Sequence, residues 1–381
     1  MIESLNIFEI LTLCLSVAYF GLILAFTIGW FRLKEEDFTT HSPKTKVSVI
    51  IAARNEERNI GFLLQDLVAQ NYPPAYLEII IVDDHSIDRT SEIITNFNRM
   101  HPSICINYEY LDTVYGKKEA MAHGISISHG DLIITTDADC RVGPRWVFTY
   151  ASYYEQSNAK LISAPVVYHK EKNLFERFQS LEFLSLIASG AGSVALKKPF
   201  MCNGANLAFE KSIFNAIDGY KDHEHLASGD DVFLMQQIKK IFGASSIVFL
   251  KNKEAVVKTQ AVSKFDNFLR QRKRWASKTK AYKDIFAILT ALCVFGFNLM
   301  LLKLMIFWVI GFMDFQILLI ACSVKVIIDF PILFAVTRFG GQPKLMWYYL
   351  PIQLLYPFYI SITAILSFLS PNKWKGRLIR N

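Results

Sequence analysis

The chain has 381 residues, 52% of them hydrophobic and 20% charged, with six cysteines and a formal net charge of +7. So large an apolar share argues against a wholly water-soluble enzyme, and the charged share against a wholly bilayer-embedded one, so both kinds of segment must coexist. The cysteines are scattered and show no C-x-x-C spacing, which excludes a disulfide framework or zinc finger and suits a reducing compartment for the polar part.

From Ile7 to Phe31 the sequence is almost wholly apolar, and Arg32 and Lys34 follow at once. Such a run exceeds the roughly 20 residues that a helix needs to cross a hydrocarbon core. A cleaved signal peptide would want a basic start and a small-residue cleavage site, whereas Glu3 and Glu9 stand here. Residues 1–40 therefore read as a membrane anchor. The positive-inside rule then places Arg32, Lys34, Lys44 and Lys46, and the polar part after them, in the cytoplasm.

From about Thr45 to Lys283 the pattern changes. VSVIIAA (47–53), LEIIIVDD (77–84) and DLIITTD (131–137) are short runs rich in Val and Ile, each ending in polar residues. Helix-like stretches, Glu56–Gln70 and Asp88–Met100, lie between them. This alternation predicts an α/β domain over 41–282, with a Rossmann-like, mostly parallel sheet covered on both faces. Ligands of such sheets bind beyond the carboxyl ends of the strands, where the polar residues gather here.

A membrane domain over 283–381 follows, with hydrophobic spans expected at about 285–311, 315–337 and 347–369. Asn298, Lys303, Lys325 and Asp329 interrupt them, and intramembrane charges are costly unless paired or facing a cavity. Pro351 and Pro357 are expected to kink or break the last span. Three spans from the cytoplasm would put the tail NKWKGRLIR outside, whereas its four basic residues favour the inside. Either one segment is re-entrant or the count is off by one.

Acids cluster after the strands, in AARNEE (52–57), DDHSIDRT (83–90) and DAD (137–139). Ser86 or Asp88 has an ordinary alternative role as a cap for the next helix. Asp137 and Asp139 say more, because positions i and i+2 of an extended segment point to the same side. Their mutual repulsion would be relieved by a hard divalent ion bound together with a diphosphate. Gly229-Asp230-Asp231 opens the helix-like VFLMQQIKKIF, where negative charge is favoured whatever else the acids do. His223 and His225 precede it, as metal ligands or as solvated loop residues. If residues 263–282 form a helix, Gln271, Arg274 and Trp275 share one face, while Phe265, Phe268 and Leu269 supply an apolar stripe. Eleven Lys or Arg stand against two acids between 251 and 283. A basic cluster just before a membrane span is explained by anionic headgroups, with no need of nucleic acid.

In the order VSVIIAARNEE, VDDHSIDRT, GKKEAM, DAD, GDD and QRKRW, the sequence resembles the family 2 glycosyltransferases. The closest likeness is to their membrane members with the D, D, D, (Q/R)-x-x-R-W pattern: ceramide glucosyltransferases, hopanoid and carotenoid transferases, and polysaccharide synthases. The resemblance covers about 230 residues and implies a GT-A catalytic domain. It implies that Ala53, Arg54 and Glu56 line the nucleotide end of the first strand, and that Asp84 or Asp83 holds the uracil edge. Lys117 would approach the base or phosphates. Asp137 would lie near the sugar and ribose, and Asp139 on a Mg2+ or Mn2+ ion that Asp137 helps to hold. Asp231 would be the catalytic base with Asp230 beside it, and Asn203, Gly204 and Asn206 of CNGANLAF would lie under the acceptor. Gln271, Arg272, Arg274 and Trp275 would meet the leaving diphosphate and the acceptor. Family members commonly carry Gly at the position of His85.

The implied activity is inverting transfer of a sugar from a nucleotide-sugar, expected to carry UDP, to a lipid or lipid-linked acceptor at the cytoplasmic membrane face. Two alternatives are a processive polysaccharide synthase and a non-catalytic membrane protein that binds nucleotide-sugar. A membrane nucleotidyltransferase would need a glycine-rich phosphate loop after the first strand, and ARNEERN is not one.

Overall fold

The computed structural model describes residues 7–38, 42–220, 229–277, 283–369, 372–374 and 377–379. In chain order the elements are α1 (Ile7–Arg32), β1 (Val47–Ala53), α2 (Ile60–Val68), β2 (Leu77–Asp83), α3 (Thr90–Met100) and β3 (Cys105–Tyr110). Next come α4 (Lys117–Ile127), β4 (Leu132–Asp137), α5 (Trp146–Gln156), β5 (Leu161–Ser163), β6 (Val166–Tyr168), α6 (Leu174–Ala195), β7 (Leu207–Glu210) and α7 (Lys211–Ala216). The chain continues with α8 (Asp230–Phe242), β8 (Ile247–Phe249), β9 (Val257–Thr259), α9 (Phe265–Ser277), α10 (Ile285–Val309), α11 (Phe315–Phe339) and α12 (Tyr349–Leu369). A hairpin, β10 (Asn372–Trp374) and β11 (Arg377–Ile379), closes the described chain. Contacts divide it into a sheet unit, residues 33–171 and 201–261, and a helical unit, residues 1–32, 172–200 and 262–381.

The main sheet of the sheet unit has seven strands in the order β3-β2-β1-β4-β7-β5-β8, and β6 pairs parallel to β9 in a second, two-stranded sheet. β1 pairs parallel to β2 and β4, and β2 to β3, as the Val/Ile runs predict. Every residue of β2 is buried, so the sheet is covered on both faces at its centre. α2 buries Ile60, Leu63, Leu64 and Leu67, the i, i+3, i+4, i+7 stripe of a helix lying on a core. On α4, Gly124 permits a close approach: a Cβ there would stand 2.7 Å from a methyl of Ile50. β7 is the exception to the parallel pattern, running antiparallel to both β4 and β5. Its reversal brings the segment just before it, residues 203–206, to the carboxyl end of β4. α2 and α3 begin later than expected, because residues 54–59 and 84–89 are loops pinned to each other by hydrogen bonds.

Among the described residues of the helical unit, four helices are long and apolar enough to cross a membrane: Glu9–Arg32, Ile285–Val309, Phe315–Phe339 and Pro343–Ser367. The expected number of spans is therefore present. Pro351 and Pro357 do not break the last one, which runs as a single helix. Pro351 lies in its first turn, where a backbone N–H has no partner within the helix anyway. A fifth helix of this unit, α6, went unread in the sequence because Glu176, Arg177 and Glu182 dilute its hydropathy. α1 and α6 cross backbone to backbone at Gly29 and Gly192, where a Cβ on Gly192 would stand 2.9 Å from Phe26 Cα. Lys325 and Asp329 pair one turn apart in α11 at 2.7 Å, and Tyr19 Oη donates to Asp329 at 2.8 Å. The Lys325 ammonium also lies 4.7 Å from the centre of the Tyr356 ring. The charges of Lys325 and Asp329 are thus neutralised within the bundle, whereas Lys303 is exposed on its helix.

Two stability measurements in detergent check this packing. Lys325→Met should cost about 3–5 kcal/mol by stranding Asp329, and adding Asp329→Leu should recover most of the loss. Gly192→Ala should lower the melting temperature by the equivalent of about 1–3 kcal/mol, whereas Gly21→Ala, with nothing within 4 Å of the new Cβ, should leave it unchanged.

Candidate active site

The turns after β1 and β2 form one edge of the site. Asn55 and His85 both sit in the left-handed region, at φ 51° and 59°, a conformation that Asn and His adopt more readily than most residues. His85 thus makes the turn that glycine would otherwise make. Its ring adds contacts that glycine cannot: it stacks on Tyr115 at 4.0 Å, meets Tyr110 at 5.1 Å, and has Nδ1 3.2 Å from an Asp84 carboxylate oxygen.

The side chains of Asp83 and Asp84 are both buried. Asp83 holds the turn from inside, accepting from the Ser86 N–H at 2.7 Å and the Tyr108 hydroxyl at 3.0 Å. Burial, together with the nearby Asp83 charge, pushes the Tyr108 hydroxyl up to about 12. Arg54 Nη1 donates to the Asp84 carbonyl at 2.6 Å and lies 3.6 Å from its carboxylate. Ala53 is buried and its carbonyl accepts from the Asp84 N–H, so what it can offer a ligand is backbone shape. Glu56 receives the Asn59 side-chain amide at 2.9 Å, and its own N–H donates to Thr90 Oγ1.

A second edge gathers acids from separate segments around one cation. Lys117 opens α4 and pairs with Asp137 at the end of β4, the two side chains 40% and 36% exposed. Burial would pull the Lys117 ammonium down, but Asp137, Asp231 and Asp230 outweigh it and hold it above its ordinary value. β4 ends at Asp137, and Ala138 and Asp139 follow in a turn closed by the Cys140 N–H on the Asp137 carbonyl, with Asp137 half-buried, Ala138 buried and Asp139 exposed. The extended i, i+2 spacing expected of the two acids is replaced by a turn. Among the described residues no group of three or more His, Cys, Asp or Glu could hold a metal ion. Two carboxylates nonetheless fit a hard ion that takes its remaining oxygens from a substrate diphosphate and water. His223 and His225 lie outside the described residues.

Asp231 stands in the first turn of α8, after Gly229 at φ 103°. Its Oδ2 accepts from the Gly204 N–H at 3.0 Å and its Oδ1 from the Val232 N–H at 2.9 Å. Tyr220 faces the same acids; burial, then Asp230 and Asp231, drive its hydroxyl well above the ordinary value. Asn203 caps the 204–206 turn by accepting from the Ala205 N–H. Asn206 corrects the sequence reading. Rather than presenting its amide to an acceptor it is fully buried, accepting from Trp146 and Tyr150 and donating to the carbonyls of Pro165 and Ala255. Thr135, Tyr108 and Tyr220 escaped the sequence reading. Thr135 alone carried a signal, standing two residues before Asp137 on the same face of β4.

Gln271, Arg272, Arg274 and Trp275 belong to α9, in the helical unit. Arg272 is 2% exposed and donates to Glu182 of α6 at 2.6 Å, with Phe268 and Trp275 on either side of its guanidinium. Glu182 also accepts from the Tyr359 hydroxyl, and Gln271 from Arg272. Arg272 thus serves the packing of α9, not a ligand. Arg274 and Trp275 are half-buried, and Trp275 lies 5.8 Å from the Phe183 ring.

Residues 48–217 match the family model described as Glycosyl transferase family 2. A probable glycosyltransferase, YdaM, of Bacillus subtilis is 30% identical over 245 residues, spanning 61% of this chain and 54% of that protein. A beta-monoglucosyldiacylglycerol synthase of Synechocystis is 33% identical over 100 residues, 26% of this chain and 21% of that one. The matches thus span about half of the first relative and a fifth of the second. Among solved structures, the mannosyltransferase PcManGT of Pyrobaculum calidifontis, in complex with GDP-Man and Mn2+, superposes with a TM-score of 0.57. That match covers 95% of this chain and 97% of the other at 17% identity, and so shows a shared fold.

Asp88 accepts from the Thr90 N–H and hydroxyl and from the Glu57 N–H, and so anchors the start of α3. Burial raises its proton affinity, but these bonds outweigh it and hold the carboxyl below its ordinary value. Its contribution is therefore full at neutral pH and fades as pH falls through the carboxylate range. Asp88→Ala should cost about 1 kcal/mol in thermal unfolding at pH 7 and less in acid.

Proposed function

Because the chain belongs to glycosyl transferase family 2, we propose that it moves a sugar from a nucleotide-sugar, expected to be a UDP-sugar, to a lipid or lipid-linked acceptor by single displacement with inversion. The observation that carries this reading is the pairing of Asp137, at the carboxyl end of β4, with Lys117, whose ammonium also feels the charges of Asp231 and Asp230. A donor site and an acceptor base must meet there for one displacement to occur.

Asp84, Arg54 and Glu56, with Asp83 behind them, form the nucleotide end, and Lys117 meets the phosphates. Asp137 and Asp139 would hold Mg2+ or Mn2+, whose charge would offset that of the departing diphosphate. Asp231 takes the proton from the acceptor hydroxyl, its carboxylate oriented by the N–H groups of Gly204 and Val232. Asn203 and Gly204 support the acceptor. The family resemblance further assigns Arg274 to neutralising the leaving group and Trp275 to the acceptor, with Gln271 beside them.

The lipid acceptor is supported by four membrane-length helices and by the basic stretch 251–283 that precedes three of them. The name of the Synechocystis relative, a diacylglycerol glycolipid synthase, agrees. The positive-inside rule favours a cytoplasmic catalytic domain, with residues 1–40 as anchor, 41–282 as transferase and 283–381 as membrane domain.

Nucleotide release by the detergent-solubilised protein, offered a panel of nucleotide-sugars with Mn2+ or Mg2+, should respond to one donor and rise when a lipid extract is added. Asp231→Asn should lower turnover by about 10²–10⁴-fold with donor binding nearly intact. Near-normal turnover in that variant would remove Asp231 from the role of base.

A further inference from the structure

We infer that Thr135 is a positioning residue that sets where Asp231 stands, acting through the backbone of Gly204. This rests on Asp231 being the base, and it assigns the task of aiming it. Thr135 lies on β4 and is 3% exposed. Its hydroxyl donates to the Gly204 carbonyl at 2.7 Å, with the Leu207 carbonyl further off at 3.3 Å. The N–H of the same glycine donates to Asp231 Oδ2 at 3.0 Å. Glycine 204 is thus gripped from both sides, by the sheet through its carbonyl and by the base through its amide.

The sheet's own hydrogen bonds do not do this. The β4–β7 ladder ends at the Thr135–Leu207 pair, and residues 204–206 leave it as a turn. The Thr135 hydroxyl reaches past that last rung. The other amide on Asp231, that of Val232, belongs to its own helix and would travel with it. The Gly204 amide instead ties the carboxylate to the strand that also carries Asp137, two residues beyond Thr135 on the same face. One strand end then fixes both the donor-site acid and, through one glycine, the acceptor base. A transfer reaction needs that spacing held, since a misplacement of about 1 Å can cost about 10²-fold.

Among the described residues, Lys117 on α4 and Tyr220 interact with Asp231, and Asp230 precedes it on α8. None of these is altered by replacing Thr135.

The test uses the full chain in detergent, with the donor and acceptor found by nucleotide release. Thr135→Val keeps the shape and removes the hydroxyl, Thr135→Ala removes it without added bulk, and Thr135→Ser keeps it. The first two should lose about 10²-fold in kcat while donor KM and Mn2+–UDP binding stay unchanged. The acid limb of their kcat–pH profiles should move to higher pH, because a loosened Gly204 amide favours the charged carboxylate less. Thr135→Ser should recover most of the rate. Val or Ala variants within twofold of native kcat, or a Ser variant as impaired as they are, would overturn the inference. Asp231→Asn run in parallel separates the two claims. Retained turnover there removes the base itself, and with it the positioning role. An inactive Asp231→Asn beside a fully active Thr135→Val removes the positioning role alone.

Discussion

Asp137 pairs with the ammonium of Lys117, which also feels the charges of Asp231 and Asp230, and the rest of the sheet unit can be understood as the means of holding these groups in place. Like charges brought together repel unless a cation is supplied, and the two Asp segments lie about ninety residues apart in the chain. The parallel strands deliver Asp137 to the open end of the sheet, and α4 delivers Lys117. A lysine in the first turn of a helix sits at the unfavourable end of the helix dipole. The three carboxylates offset that local cost, so a placement that is poor for α4 alone becomes favourable in the folded unit.

The antiparallel strand β7 supplies the remaining piece. An all-parallel sheet would send the residues before β7 to the far end, away from the acids. Reversal instead puts Asn203 and Gly204 beside the end of β4, where a glycine amide can meet Asp231. Asn206, one turn on, is buried with four hydrogen bonds and fixes the segment to the core. Holding the Asp231 carboxylate against a short turn thus depends on a neighbouring amide that is wholly satisfied.

The helical unit meets the same electrostatic constraint with internal pairs. Arg272 with Glu182 joins α9 to α6, and Tyr359 brings in α12. Lys325 with Asp329 and Tyr19 joins α11 to α1. In a low-dielectric interior these charges must be matched one to one, and the aromatic rings around Arg272 and Lys325 add attraction of their own.

The three Val/Ile-rich strands β1, β2 and β4, the mostly parallel sheet, the four long apolar helices and the acids after those strands were legible in the sequence, because period, composition and helix length are local properties; the shorter or less apolar strands, β3 and β5–β9, were not. The strand alternation expected to align Asp137 with Asp139 stops at Asp137, where β4 ends and a turn begins. Tertiary structure decided the rest. Arg272 lies within a basic motif, yet a glutamate ninety positions earlier turns it inward. Asn206 and Asn203 are three residues apart, but only Asn206 meets Trp146, Tyr150 and two buried carbonyls. α6 was hidden because its charges lower the hydropathy that marks a membrane helix, and the partner that neutralises Glu182 is distant in the chain. What a charged or polar side chain does depends on the group that finally stands opposite it, and folding alone brings that group there.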